Sequence, residues 1–448
     1  MRIIFIGGGE VGYALARSLA PNHDLHVIDH DPAVADRFHP LDVSFVPGSG
    51  TSAEVLGLGD VESSDLVIAC TGLDEVNIIA CALAKKLGAA KTVCFVSGND
   101  FLESVSGGYS LREHFGVDQT IWPEAQLADA IQRIIAAPGA IDAESFAGGQ
   151  VRLLEYRLES GSPLTVAPIA SLQLPRGAVV VAAKRGDTIT IPHGGTHLKP
   201  GDKVIVMGRG DAMSAMEARV APDGRNLRDA RQVTIIGGGD VGFRLAQLLD
   251  SRDDVSVRMI ERDRARGEML AATLANALIL SGDGTDLELL EMEEIGRSDV
   301  LVSVIDNDER NLLASLLGRQ LGVTKIITRV SKVANLRLFE RVGIDVALSA
   351  KGAAVESIVR EVEGGKAKVL AVLEEGEAKI FELVVPDDFP ATALRDLATP
   401  PESIVGTILR HGDAIVPHGN DRIEPGDRLL VFCTDASADL MRTFFTSS

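Results

Sequence analysis

The sequence predicts an α/β protein: two tandem Rossmann-like domains, each a parallel, doubly wound sheet, and each followed by a small α+β domain. Three observations carry this prediction. An apolar run leads into a G-x-G-x-x-G fingerprint at residues 3–6 and Gly7-Gly8-Gly9-Glu10-Val11-Gly12. The same pattern returns at residues 233–236 and Gly237-Gly238-Gly239-Asp240-Val241-Gly242, an offset of 230 residues from Gly7 to Gly237. Short apolar runs alternate with helical patterns in both halves, the signature of β-α-β units. Each half then ends in a turn-rich tract that closes on Pro-Gly-Asp, at Pro200-Gly201-Asp202 and Pro425-Gly426-Asp427.

In the first half a strand is expected at residues 2–6 and a helix at 10–20. Strands follow at 25–28, 43–46, 66–70 and 92–96, with an amphipathic helix at 75–87. Asp65-Leu66-Val67-Ile68 aligns with Asp299-Val300-Leu301-Val302, and Asp74-Glu75-Val76-Asn77 with Asp308-Glu309-Arg310-Asn311, both 234 residues apart. Gly116-Val117-Asp118 matches Gly343-Ile344-Asp345 at an offset of 227. The shift predicts a longer first-half loop around residues 104–112, where Ser106-Gly107-Gly108-Tyr109-Ser110 reads as a flexible insertion. The small domains also repeat: Arg185-Gly186-Asp187 and Ile191-Pro192-His193-Gly194 in the first, Arg410-His411-Gly412-Asp413 and Val416-Pro417-His418-Gly419 in the second. Their Gly-Asp and Pro-Gly pairs between alternating apolar runs mark hairpins. His193 and His418 read as turn residues. The expected division is 1–137 and 138–218 for the first pair of domains, a breaker-rich linker at 219–231, then 232–363 and 364–448.

The 448 residues suffice for three or four domains. With 46% hydrophobic and 24% charged residues the chain has the balance of a soluble globular protein, and at 4% aromatic its cores must be aliphatic. A net charge of −20 argues against nucleic acid as a partner, because phosphate binding needs clustered Lys and Arg. It leaves open docking on the basic cytoplasmic face of a membrane protein. Cys70, Cys81, Cys94 and Cys433 have no metal-site or C-x-x-C spacing and read as buried thiols. The chain opens directly on a strand, so no signal peptide is expected, and no apolar run is long enough to span a bilayer.

In each fingerprint the first glycine permits the tight strand-to-helix turn, the second lets backbone approach a pyrophosphate, and the third lets helix pack on sheet. The helix N-terminus then offers free N–H groups to phosphate oxygens. An acid at the end of the next strand completes such a site: Asp29, 22 residues after Gly7, and Glu261, 24 after Gly237. A carboxylate there accepts bonds from a ribose 2′-OH and repels a 2′-phosphate, so NAD(H), ADP or ATP is favoured over NADP. Glu10 and Asp240 stand where phosphates would lie and do not help a γ-phosphate, which favours the dinucleotide NAD(H); the alternative is that they are solvated acids suited to the helix dipole. No metal site and no catalytic residue is read from the sequence. An NAD-dependent oxidoreductase would need an acid or base beside the nicotinamide and a substrate domain, and the candidates are thin.

The tandem fingerprints, the Asp-Glu-x-Asn signature after the fourth strand and the paired small domains resemble RCK (regulator of conductance of potassium) domains. The order N-domain, C-domain, N-domain, C-domain is similar to the regulatory subunits of Trk-type potassium uptake systems. The resemblance implies a non-enzymatic cytoplasmic homotetramer, a ring lying against the inner face of the cell membrane on a TrkH-like potassium-translocating subunit and changing shape with bound nucleotide. Regulation of a different channel or antiporter is the alternative. It further implies a first site of Gly7, Gly8, Gly9, Glu10, Val11, Gly12 and Asp29, with Thr71 and Gly72 closing over the ligand. The second site is Gly237, Gly238, Gly239, Asp240, Val241, Gly242, Glu261, Asp283, Ile305, Asp306 and Arg329, the arginine reaching phosphate. Ser49 replaces Asp283 and Phe95 replaces Arg329 in the first half. Losing one charge-assisted contact costs on the order of 1.5–3 kcal/mol, so the first site is expected to be weaker or to prefer a different nucleotide.

Overall fold

The computed structural model describes residues 1–97, 111–137, 139–220, 231–362 and 367–444. Most of the expected first-half insertion and of the inter-half linker therefore lies outside the described residues.

The first half runs β1 (Arg2–Ile6), α1 (Glu10–Leu19), β2 (Asp24–Asp29), β3 (Val43–Pro47), α2 (Ala53–Leu58), β4 (Leu66–Ala69), α3 (Asp74–Leu87), β5 (Lys91–Phe95), α4 (Leu111–Phe115), β6 (Gln119–Ile121) and α5 (Pro123–Ile135). Its strands pair in parallel in the order β3-β2-β1-β4-β5-β6. That is the doubly wound Rossmann order, whose direction of winding reverses between β1 and β4. Both faces of the central strands are covered, so Leu66–Ala69 is buried at every residue and the strands read as apolar runs rather than alternating ones. α1 turns Leu15, Ala16 and Leu19 inward and carries Glu10 in its first turn and Arg17 in its last, each charge matching the helix dipole.

The small domain that follows has β7 (Asp142–Phe146), β8 (Val151–Arg157), β9 (Ala178–Arg185), β10 (Thr188–Thr190), β11 (Lys203–Arg209) and α6 (Gly210–Val220). The strands form an antiparallel sheet ordered β10-β9-β11-β8-β7.

The second half repeats the plan. β12 (Arg231–Ile236), α7 (Asp240–Asp250), β13 (Val255–Glu261), α8 (Arg264–Thr273), β14 (Leu278–Ser281), α9 (Leu287–Met292), β15 (Val300–Ser303), α10 (Asp308–Leu321), β16 (Lys325–Arg329), α11 (Leu336–Arg341), β17 (Val346–Leu348) and α12 (Ala350–Val362) give a parallel sheet ordered β14-β13-β12-β15-β16-β17. β18 (Ala367–Leu373), β19 (Ala378–Val384), β20 (Thr392–Ala393), β21 (Ser403–Arg410), β22 (Asp413–Ile415), β23 (Arg422–Ile423), β24 (Arg428–Thr434) and α13 (Ala438–Thr443) follow, with the main sheet ordered β18-β19-β24-β21-β22. The repeated Pro-Gly-Asp has a structural role. The buried Asp202 takes a two-pronged bond from Arg185 at 2.8 and 2.7 Å, and Asp427 takes the same bond from Arg410 at 2.8 and 2.7 Å. Each pins the last hairpin to its neighbour. His193 and His418 sit in turns, as expected, with backbone N–H groups bonded to Thr196 and Asp421. All four cysteines are buried.

The halves exchange helices. Leu127, Ala128, Ile131, Ile134 and Ile135 of α5 lie in one core with Val233, Ile235, Leu245 and Leu249 of the second half. Ala354, Ile358, Val359 and Val362 of α12 lie in one core with Ile3, Phe5, Leu15 and Leu19 of the first. Pseudo-equivalent lysines fasten both crossings: Lys325 donates to the carbonyls of Ile134 (3.0 Å) and Ala140 (2.6 Å), and Lys91 pairs with Glu361. The two small-domain sheets also pack on each other, through Val181, Ile205 and Met207 against Ile380, Leu430 and Phe432. Among the described residues no helix is long and apolar enough to cross a membrane.

Where the exchanged helices meet β7, three acids gather around two arginines. Arg133 of α5 and Arg360 of α12 both reach Glu144, at 3.2 and 3.6 Å. Burial, then the charges of Asp142 and Glu144, push the Glu356 carboxyl up to about 8 against the pull of both arginines. Burial and Glu144 push Asp142 up to about 6. Such a carboxyl binds its proton more tightly in the folded than in the unfolded chain. Its stabilisation is full below the unfolded value of about 4.3 and is lost as pH rises toward 8. Glu356→Gln is therefore expected to flatten the decline in urea midpoint between pH 5 and pH 9; parent and variant declining in parallel would contradict this.

Candidate functional site

In each half the glycine loop lies at the C-terminal ends of the two central strands, where the winding reverses and a sheet of this order leaves a cleft. In the first, Gly7 turns the chain out of β1 at φ +112°, a left-handed conformation that disfavours any side chain. A Cβ on Gly7 would stand 3.0 Å from the backbone nitrogen of Thr71, so the loop after β4 closes directly over the glycine turn. Gly237 does the same at φ +105°, against Ile305 at 3.1 Å. The third glycines are packing positions: a Cβ on Gly12 or Gly242 would stand 1.9 Å from the carbonyl oxygen of Gly7 or Gly237. Gly9 and Gly239 differ. Nothing lies within 4 Å of a Cβ built on either, so both face open space at the N-termini of α1 and α7, where the backbone N–H groups of the first turn have no helical acceptor.

The acids at the ends of β2 and β13 stand in matched positions. Asp29 accepts the Gly8 N–H at 2.6 Å and the Asp31 N–H at 2.9 Å. Glu261 accepts the Gly238 N–H at 2.7 Å and the Asp263 N–H at 2.7 Å. Each carboxylate is thereby fixed at the edge of the glycine loop with lone pairs remaining for a ribose diol. The open space beside Gly9 and Gly239, the helix N-termini and the oriented acids together fit a dinucleotide or an adenosine phosphate.

The loops after β4 and β15 are held by the asparagine of the Asp-Glu-x-Asn signature. Asn77, fully buried, accepts the Thr71 N–H at 2.9 Å and donates to the carbonyls of Thr71 and Phe95. Asn311 accepts the Ile305 N–H at 2.8 Å and donates to the carbonyls of Ile305 and Arg329. The signature therefore ties two adjacent strand ends together under the cleft. Gly72 follows with open space around it.

The second cleft is the more charged. Asp283, oriented by Thr285, pairs with Arg310 at 2.5 Å, and Arg329 pairs with Asp306 at 3.0 Å. Burial works against ionisation of Asp283, but the bonds from Thr285 and Arg310 outweigh it and hold the carboxyl below its usual range. Arg266 donates to the Gly238 carbonyl at 2.9 Å and lies over the Phe243 ring. Arg310 and Arg266 were not singled out from the sequence; Arg310 was visible as the variable position of Asp-Glu-x-Asn. Two further residues come from the exchanged helices. Lys351 of α12 pairs with Glu10 at 2.5 Å across the halves, and Glu124 of α5 feels the charges of Arg329 and Asp240. Nothing local in the sequence marks either. Among the described residues no cluster of acids, histidines and cysteines is arranged to hold a metal.

The TrkA-N domain model matches residues 3–123 and 233–350, and the TrkA-C domain model matches 153–221 and 380–446. The Trk system potassium uptake protein TrkA homolog 1 of Methanosarcina mazei is 36% identical over 454 residues, covering 99% of this chain and 100% of the relative. The TrkA homolog of Archaeoglobus fulgidus is 36% identical over 433 residues, covering 96% of this chain and 97% of its own. The TrkA protein of Halomonas elongata is 31% identical over 448 residues, covering 97% and 96%. Among solved structures the GsuK RCK domain superposes with a TM-score of 0.59 at 19% identity, covering 100% of this chain and 95% of that one. The GsuK channel bound to NAD superposes with a TM-score of 0.59 at 18% identity, covering 100% and 79%. These two likenesses establish a common fold.

Proposed function

The chain belongs to the TrkA family, and from that premise we propose that it is a nucleotide-sensing, non-enzymatic regulatory subunit of a potassium uptake system. It gates a membrane-embedded, TrkH-like potassium-translocating subunit from the cytoplasmic side. The observation that carries this reading is a pair of matched glycine loops, each with an oriented acid at its edge and each in a domain against which a helix of the other half packs. NAD(H) is the preferred ligand and ADP or ATP the alternatives. The first site comprises the loop from Gly7 to Gly12 with Asp29, Thr71 and Gly72; the second comprises the loop from Gly237 to Gly242 with Glu261, Asp283, Ile305, Asp306 and Arg329. A ligand that fits one relative placement of the halves better than another shifts the population toward it. The exchanged α5 and α12 carry that shift between halves, and the paired small domains hold the halves together while it happens.

The homotetrameric ring is part of this proposal, and self-association has its own support. Ile79 on α3 and its counterpart Leu313 on α10 are 47% and 48% exposed, with Leu316 beside the latter at 41%. Exposed apolar side chains recurring at the same place in both halves suit burial against a second copy. The double variant Ile79→Asp/Leu313→Asp is expected to reduce the assembly to a smaller species in sedimentation velocity; an unchanged sedimentation coefficient would move the ring contact elsewhere.

The central test is calorimetric titration of the full chain with NADH, NAD, ADP and ATP, beside Gly9→Asp and Gly239→Asp. It is joined to rubidium flux into proteoliposomes holding the membrane subunit. The reading requires binding that is lost site by site and flux that follows occupancy. Flux indifferent to every nucleotide and to both variants would remove it.

A further inference from the structure

Resting on the nucleotide reading above, we propose that Lys351 completes the first cleft from the opposite half. With its pseudo-equivalent Glu124, it sets different nucleotide preferences in the two clefts: terminal phosphates are favoured more in the first than in the second.

α5 and α12 occupy equivalent places, and Glu124 and Lys351 are each the second residue of their helix. α12 packs on the first half, and there the Lys351 ammonium meets Glu10, the first residue of α1, at 2.5 Å. Lys351 therefore stands at the same helix N-terminus as Gly9, whose Cβ direction is open. The first cleft has Phe95 where the second has Arg329 and Val76 where the second has Arg310. The positive charge missing from its own strands and helices is supplied across the halves. A terminal phosphate reaching past the glycine loop exchanges Glu10 for phosphate oxygens as the partner of Lys351, in a charge-assisted bond that the internal pyrophosphate of a dinucleotide does not require.

At the second cleft the sign is reversed. α5 packs on the second half, where Glu124 feels the charge of Arg329 and, after it, that of Asp240, the first residue of α7. The Glu124 Oε2 atom is buried and has no hydrogen-bond partner among the described residues. A terminal phosphate arriving there meets Asp240 and Glu124 where the first cleft offers Lys351, and Arg329 and Arg310 already have Asp306 and Asp283 as partners. The first cleft thus favours terminal phosphates more than the second does, and the second is the more selective for a dinucleotide. Because α12 leads into β18 of the second small domain, a phosphate held by Lys351 at the first cleft also fixes the position of the second half.

The test is calorimetry on the full chain with one cleft blocked. In a Gly239→Asp background, Lys351→Glu is expected to weaken ATP binding roughly tenfold or more while NADH affinity changes by about threefold or less; Lys351→Arg, which preserves the charge and the packing, keeps the parent preference. In a Gly9→Asp background, Glu124→Lys is expected to strengthen ATP binding at the second cleft. ATP and NADH affinities falling together in Lys351→Glu, or neither moving, would overturn the proposal and leave Lys351 as a packing residue. An absence of heat with every nucleotide in the unaltered chain would instead remove the nucleotide reading on which it rests.

Discussion

Gly242→Ala is expected to cost about 3 kcal/mol or more of stability in the second Rossmann-like domain and to abolish nucleotide binding there, whereas Gly239→Asp abolishes binding and leaves stability unchanged or slightly raised. The two glycines lie three residues apart in one fingerprint but have opposite surroundings. A Cβ on Gly242 would sit 1.9 Å from the Gly237 carbonyl oxygen, far inside contact distance. That oxygen cannot yield cheaply. Gly237 is held at φ +105° and its N–H is bonded to the Ile260 carbonyl at 3.0 Å. Relief requires α7 to lift from the sheet, which opens the turn that would cradle a phosphate. A Cβ on Gly239 meets nothing within 4 Å. An aspartate there enters the space a phosphate would use, repels it, and sits favourably at the positive end of α7. Urea unfolding and calorimetric titration of the two variants decide the matter: equal stability losses, or retained binding in Gly242→Ala, would contradict the division of roles.

The second large effect is expected from Lys203→Met, which should lower stability by about 3–5 kcal/mol. Lys203 is only 16% exposed and faces Glu155 at 3.3 Å, Glu374 at 3.2 Å and Glu340 at 3.6 Å. These acids come from the first small domain, the second small domain and α11 of the second Rossmann-like domain, so one ammonium binds three units at a single point. Glu374 is also held by Lys184 at 2.7 Å. Burial raises the cost of charging Glu374, but Lys203 and a bond from Glu155 outweigh it and bring its carboxyl down to about 2. Glu155 moves the other way: burial, then the charge of Glu374, keep it protonated well above its usual range. With its folded value depressed, Glu374 contributes stability that is present above the unfolded value of about 4.3 and lost as pH falls toward 2. Removing Lys203 leaves Glu374 less compensated, so the acid transition of the variant should begin at higher pH than that of the parent. Urea midpoints at pH 7 and an acid titration followed by circular dichroism test both parts; unchanged values would mean that water compensates the acids.

What can be read before folding is what chain neighbours settle. In each half the acid, Asp29 or Glu261, lies within 24 residues of the first glycine of its fingerprint, and a strand-turn-helix unit leaves little freedom in how they meet. The parallel strands announced themselves because both faces are buried, and the repeat offset made each half a check on the other. Even the asparagines under the clefts were visible as a signature, though their role of stitching two strand ends required coordinates.

Which half each crossover helix serves emerges only when the domains pack. α5 and α12 are amphipathic wherever they pack, and an apolar face does not name its partner, since hydrophobic attraction is non-directional. Their docking on the opposite halves is what brings Lys351 to Glu10 and Glu124 toward Asp240, pairs separated by 341 and 116 residues (351 less 10, 240 less 124). The three-way meeting at Lys203 is of the same kind. Charges converge there because the small domains pack face to face and α11 reaches down to them, and a charge pattern carries no record of the distances that folding closes. Residue identity sets the chemistry available beside each glycine loop, and the exchange of helices sets which charge from the other half stands near it.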